Sequence, residues 1–129
     1  MRMREDIEAY MLRSGVSFKE LDAEMWVLHE IGAAQNVVVS LAGPLVVFRM
    51  KVMELDQVDK RPELFQRLLE LNANEMIHGA YGISDAAVMI TCSLRRENLD
   101  FNEFQGAIDD FSMAITNHRE VFESFRKGA

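Results

Sequence analysis

The chain has 129 residues, 49% of them hydrophobic and 27% charged, with 21 acidic against 14 basic side chains and a formal net charge of -7. This composition is that of a folded domain rather than a disordered tail, and the length supports one hydrophobic core. The negative balance argues against a nucleic-acid partner, because phosphate binding needs clustered positive charge. The longest apolar stretch, from Val37 to Phe48, is broken by Ser40, Gly43 and Pro44 and falls short of the ~20 residues a membrane helix requires, so no membrane insertion is expected. The first residues, Met1-Arg2-Met3-Arg4-Glu5-Asp6, lack the apolar core of a signal peptide, and the single Cys92 cannot form an internal disulfide. Both features predict a cytoplasmic protein.

From Arg2 to Leu12 the residues Met3, Ile7, Tyr10 and Met11 recur at helical spacing, and Ser14-Gly15 supplies a stop. Between Met25 and Met53 the pattern changes to β-branched and aromatic runs, which predicts strands at Met25–Glu30, Val37–Leu41 and Leu45–Met53. Ala42-Gly43 is the expected tight connection, and Pro44 can open a strand but not sit inside one. Pro62 then starts a helix whose stripe is Leu64, Phe65, Leu68, Leu69 and Leu71, ending at Asn72-Ala73-Asn74. A hairpin follows, His78–Ile83 and Ala86–Leu94 about Ser84-Asp85. The last helix has Asp100 and Glu103 at capping-box spacing, and Phe101, Phe104, Ile108, Phe111, Ile115, His118, Phe122 and Phe125 on one face. The expectation is a single α+β domain over 1–129: one sheet of about five strands with helices packed on it, in the order α-β-β-β-α-β-β-α.

No catalytic constellation emerges. His29, His78 and His118 have no metal-ligand spacing, so no metal site is expected, and no cofactor either, since the glycines of His78-Gly79-Ala80-Tyr81-Gly82 are wrongly spaced for a phosphate cradle. Cys92 shares a strand face with Val88, Ile90 and Leu94 and reads as a small buried hydrophobe. His118 lies on the phenylalanine stripe and reads as a hydrogen-bonded or edge-exposed packing residue rather than a pH switch or ligand. Adjacent acids such as Asp109-Asp110 point about 100° apart on a helix and cannot share a proton as a catalytic dyad does. The protein is therefore expected not to be an enzyme.

Strand Leu45–Met53 is the most informative. Strict alternation puts Val46, Phe48, Met50 and Val52 on one face and Leu45, Val47, Arg49, Lys51 and Met53 on the other, so apolar groups occur on both sides of the sheet. The second face is expected to be partly covered by another subunit or a bound peptide. Nine methionines, Met25, Met50, Met53, Met76 and Met89 among them in or beside strands, suit either core filling or an adaptable apolar surface.

Several local patterns, namely Leu68-Leu69-Glu70-Leu71-Asn72-Ala73-Asn74, His78-Gly79-Ala80-Tyr81-Gly82, Val88-Met89-Ile90 and Leu99-Asp100-Phe101-Asn102-Glu103-Phe104, together with the element order, resemble the type III secretion chaperone-like superfamily. Within it the chain is more similar to the YbjN-like domains of bacteria. The resemblance implies a small acidic protein, commonly a homodimer, whose sheet helps to hold an extended segment of a client or effector protein without ATP. For YbjN-like members it implies a regulatory or a chaperone-like role. On this basis the client surface is expected at Val47, Arg49, Lys51 and Met53, flanked by Trp26 or Val27 according to register; the same alternation equally suits two bases, Arg49 and Lys51, that only blunt a solvent-exposed sheet face. The homodimer interface is expected on the second helix, at Leu64, Phe65 and Leu68, where the apolar stripe is wider than one sheet face needs.

Overall fold

The structure is a computed structural model that describes residues 3–128. Arg2, the expected start of the first helix, and the side chain of Met3, expected in its stripe, lie outside the described residues. Helix α1 (Met3–Ser14) buries Ile7 and Met11 completely and stops at Gly15, whose φ of +74° is left-handed. Four strands follow, β1 (Phe18–Asp22), β2 (Met25–Ile31), β3 (Ala34–Ala42) and β4 (Leu45–Glu54). Helix α2 (Arg61–Asn74), the hairpin β5 (Ala80–Ser84) and β6 (Ala87–Arg95), and helix α3 (Phe101–Ser124) complete the chain.

The fold class and element order agree with the sequence, and the sheet has six strands, in the order β1-β2-β3-β4-β6-β5, every neighbouring pair antiparallel. The additional strand is β1. Its sequence, Phe-Lys-Glu-Leu-Asp, is exposed from Lys19 onward and so has no buried alternation to reveal it. Charged residues on an outermost strand are what discourages pairing with a further chain.

Turn chemistry sets the hairpins. Asp85 and Ala86 both have left-handed φ, 52° and 59°, the pattern of a type I′ turn between β5 and β6. Gly32, between β2 and β3, has φ +56° and no room for a side chain, since a Cβ there would lie 2.3 Å from the Ser112 hydroxyl. That hydroxyl accepts the Ala33 N–H at 2.9 Å, tying the β2–β3 turn to α3.

The helices and the inward-facing strand residues share one core. Leu28, Val37, Val39, Val46, Phe48, Ile90 and Cys92 of the sheet pack with Ile7 and Met11 of α1, Leu64, Leu68 and Leu71 of α2, and Phe104, Ile108 and Phe111 of α3. The phenylalanine stripe of α3 covers the sheet as expected. Its N-terminus is capped by Asp100, whose carboxylate accepts the Glu103 N–H at 2.8 Å.

Two strand residues fall on a different face from the one expected for the client surface. Pairing of β4 with β6 moves from Lys51↔Met89 to Met53↔Val88, so Val52 is an extra residue and β4 bulges there. The bulge shifts the alternation by one, and Met53, placed by strict alternation with Val47, Arg49 and Lys51, points into the core at 5% exposure. The register also pairs Trp26 with Val39, which makes Trp26 a fully buried core residue and leaves Val27 on the outward face.

Candidate functional site

With the helices packed on one face of the sheet, the outward face carries Met25, Val27, Val38, Leu45, Val47 and Met89, all half-buried by their neighbours and none of them part of the core cluster. Register aligns a row across all six strands: Lys19, Val27, Val38, Arg49, Thr91 and Ala80. Of the expected client residues, Val47, Arg49 and Lys51 lie on this face together, and Trp26 and Met53 do not. Trp26 is instead tied to α1, its indole N–H donating to Glu8 at 3.3 Å and its ring lying 5.6 Å from the Arg4 guanidinium carbon.

Arg49 is half-buried near the middle of the face. Its Nη2 donates to the Ser84 hydroxyl at 3.0 Å, while its Nε is buried without a hydrogen-bond partner among the described residues. Lys51 is exposed and paired with Glu54. Lys19 and Arg95, which sequence reasoning did not connect with this face, lie on it through their pairing with Val27 and Leu45. No periodic signal announces them, because their placement depends on the registers of separate hairpins.

A second apolar surface forms where α2 meets β5. Of the residues expected at a dimer interface, Leu64 and Leu68 are buried in the core and Phe65 is half-buried. Phe65 and Leu68 line an open groove with Leu69, Tyr81 and Ile83, and Leu69 and Ile83 are exposed, at 69% and 47%. Next to it, the carboxamide of Asn72 donates to the Tyr81 carbonyl at 3.0 Å and accepts the Tyr81 N–H at 2.8 Å. A side chain thus occupies the edge of β5 at Tyr81 in the way a neighbouring strand would.

Among the described residues His118 is the one buried polar residue, 3% exposed. Its Nδ1 lies 2.6 Å from the Tyr81 hydroxyl and its Nε2 lies 3.1 Å from Glu75. His78 pairs with Asp110 of α3 beside it. The segment between α2 and β5 is therefore held to α3 at two points. Burial pushes the Cys92 thiol up to about 11, with Asp110 adding to the shift, which makes it a poor nucleophile. No group of three or more potential metal ligands occurs among the described residues, and no helix among them is long and apolar enough to cross a membrane.

The family whose model matches the chain and the solved structures that share its fold place it in the type III secretion chaperone-like superfamily. The chain belongs to the CesT_Tir_1 family, whose model matches residues 1–128. Among solved structures it is similar to a chain of the ExsC-ExsE complex, with 14% identity, TM-score 0.72 and 100% of each chain covered. It is also similar to YbjN from E. coli, named as a candidate transcription regulator, with 14% identity, TM-score 0.67, and 95% of this chain and 93% of that one covered. A chain of the HopA1-SchA chaperone-effector complex matches with 10% identity, TM-score 0.67, and 90% and 91% covered. At these identities the likeness is one of fold. No curated protein matches the sequence.

Proposed function

We propose that this protein is a non-catalytic, chaperone-like binding module that holds an extended segment of a client protein on the outward face of its sheet. The observation that carries this reading is the set of apolar side chains there, Met25, Val27, Val38, Val47 and Met89, which the helices leave uncovered. A sheet face meant only for water carries polar residues at those positions. The family and the fold shared with a chaperone-effector complex support the same reading. The protein acts as a homodimer through the α2–β5 groove, where Phe65, Leu69 and Ile83 take the place of the buried Leu64 and Leu68. It acts in the cytoplasm, where its free, buried Cys92 stays reduced. The similarity to YbjN favours a second reading, in which the same face binds a partner in regulation rather than export.

Affinity capture from the native cytoplasm tests the binding face, with wild type compared to a Val27→Asp/Val47→Asp variant shown to melt cooperatively. The variant is expected to lose the specific partners that wild type retains. A folded variant that keeps all of them moves the client site off this face.

A further inference from the structure

The outward face has the opposite charge to the protein as a whole. Its strand positions carry Lys19, Arg49, Lys51 and Arg95 against Asp22 and Glu54, in a chain of formal net charge -7. Both acids lie at strand ends and are engaged locally, Asp22 accepting the Glu24 N–H in the β1–β2 turn and Glu54 pairing with Lys51. Lys19, Arg49 and Arg95 have no ion-pair partner among the described residues. Arg49 is also short of hydrogen-bond acceptors, with its Nε buried and unpartnered. A guanidinium left in this state among apolar side chains gains most from a carboxylate brought against it.

Register supplies the spacing. Lys19 and Arg49 lie in one row with Val27 and Val38 between them, three strand separations or about 14 Å apart. An extended segment crossing the strands along this row advances about 3.4 Å per residue, so positions i and i+4 span that distance. Positions i, i+2 and i+4 of an extended chain also point the same way. We infer that the outward face selects an extended segment with acidic residues at i and i+4 and an apolar residue at i+2, the carboxylates meeting Lys19 and Arg49 and the apolar group lying on Val27 and Val38. This inference rests on the binding reading above and adds the chemistry of the client.

The test uses synthetic peptides with one apolar frame and Glu, Gln or Lys at both i and i+4, titrated into the full chain and followed by amide NMR shifts on the outward strands. The Glu peptide is expected to bind about tenfold more tightly than the Gln peptide, the Lys peptide more weakly still, and the preference is expected to shrink as salt rises. Lys19→Gln, a fully surface change, and Arg49→Gln are each expected to reduce the Glu-over-Gln ratio. Equal binding of the Glu and Gln peptides overturns the acidic preference and leaves an apolar binding face standing. Failure of every peptide to bind overturns the inference, and capture of partners lost in Val27→Asp/Val47→Asp then shows that the binding reading survives it. Outward-face shifts that depend on protein concentration alone assign the face to a second copy of the chain and overturn the inference as well.

Discussion

The Tyr81 hydroxyl and Nδ1 of His118 lie 2.6 Å apart inside the protein, joining the edge strand β5 to the long helix α3. Burial, with Glu75 adding to it, holds the tyrosine well above its ordinary range, so the hydroxyl keeps its proton and satisfies Nδ1 as donor or as acceptor according to the ring's protonation. On the other side of the ring, Nε2 lies 3.1 Å from the Glu75 carboxyl. Tyr81→Phe removes the hydroxyl and leaves a buried nitrogen without a partner, a loss expected to cost about 1–3 kcal/mol. Urea unfolding is expected to show a lower midpoint with an unchanged m value. Glu75→Gln keeps an acceptor at a half-exposed position and is expected to change stability by no more than about 0.5 kcal/mol.

Cys92 predicts a loss of stability at alkaline pH. Its thiol is raised by burial from 9.0 to about 11, so above pH 9 the unfolded chain holds fewer protons than the folded one. The corresponding stability is fully present below pH 9 and is lost as pH rises towards 11, in an amount of no more than about 3 kcal/mol. Between pH 9 and 10, before Tyr81 contributes, Cys92→Ala is expected to flatten the fall. Chemical denaturation at stepped pH compares the two slopes.

The β5–β6 turn holds Ala86 at φ 59°, a conformation that costs a residue with a Cβ and costs glycine nothing. The backbone carbonyl of Ala86 accepts the Leu55 N–H at 2.9 Å, a bond that glycine retains. Ala86→Gly is expected to stabilise the protein by about 0.5–1 kcal/mol, read as a rise in thermal midpoint. A fall in midpoint shows that the entropy of glycine in the unfolded chain outweighs the relief of the turn.

The α2–β5 groove predicts a charge-sensitive oligomer. Light scattering on wild type is expected to give about twice the 14.8 kDa chain mass, and Leu69→Asp/Ile83→Asp is expected to give the monomer. Because Leu69 and Ile83 are 69% and 47% exposed in the single chain, the change is expected to leave the monomer folded, as circular dichroism would show. A wild type that is monomeric at tens of micromolar removes this interface.

By itself the sequence determined whatever rests on local periodicity and capping. The three helices, the later hairpin, the phenylalanine stripe of α3 with its Asp100 cap, and the buried character of Cys92 are all written in residues a few positions apart. The strand β1 escaped because an exposed edge strand of charged residues has no buried alternation to mark it. Only tertiary structure decided which residues share the outward face. One extra residue at Val52 turned Met53 inward, and the β2–β3 register turned Trp26 inward and Val27 outward, because a shift of one position reverses every side chain beyond it. The alignment of Lys19 with Arg49 likewise depends on the pairing of four separate strands, and no local pattern in the chain encodes that sum.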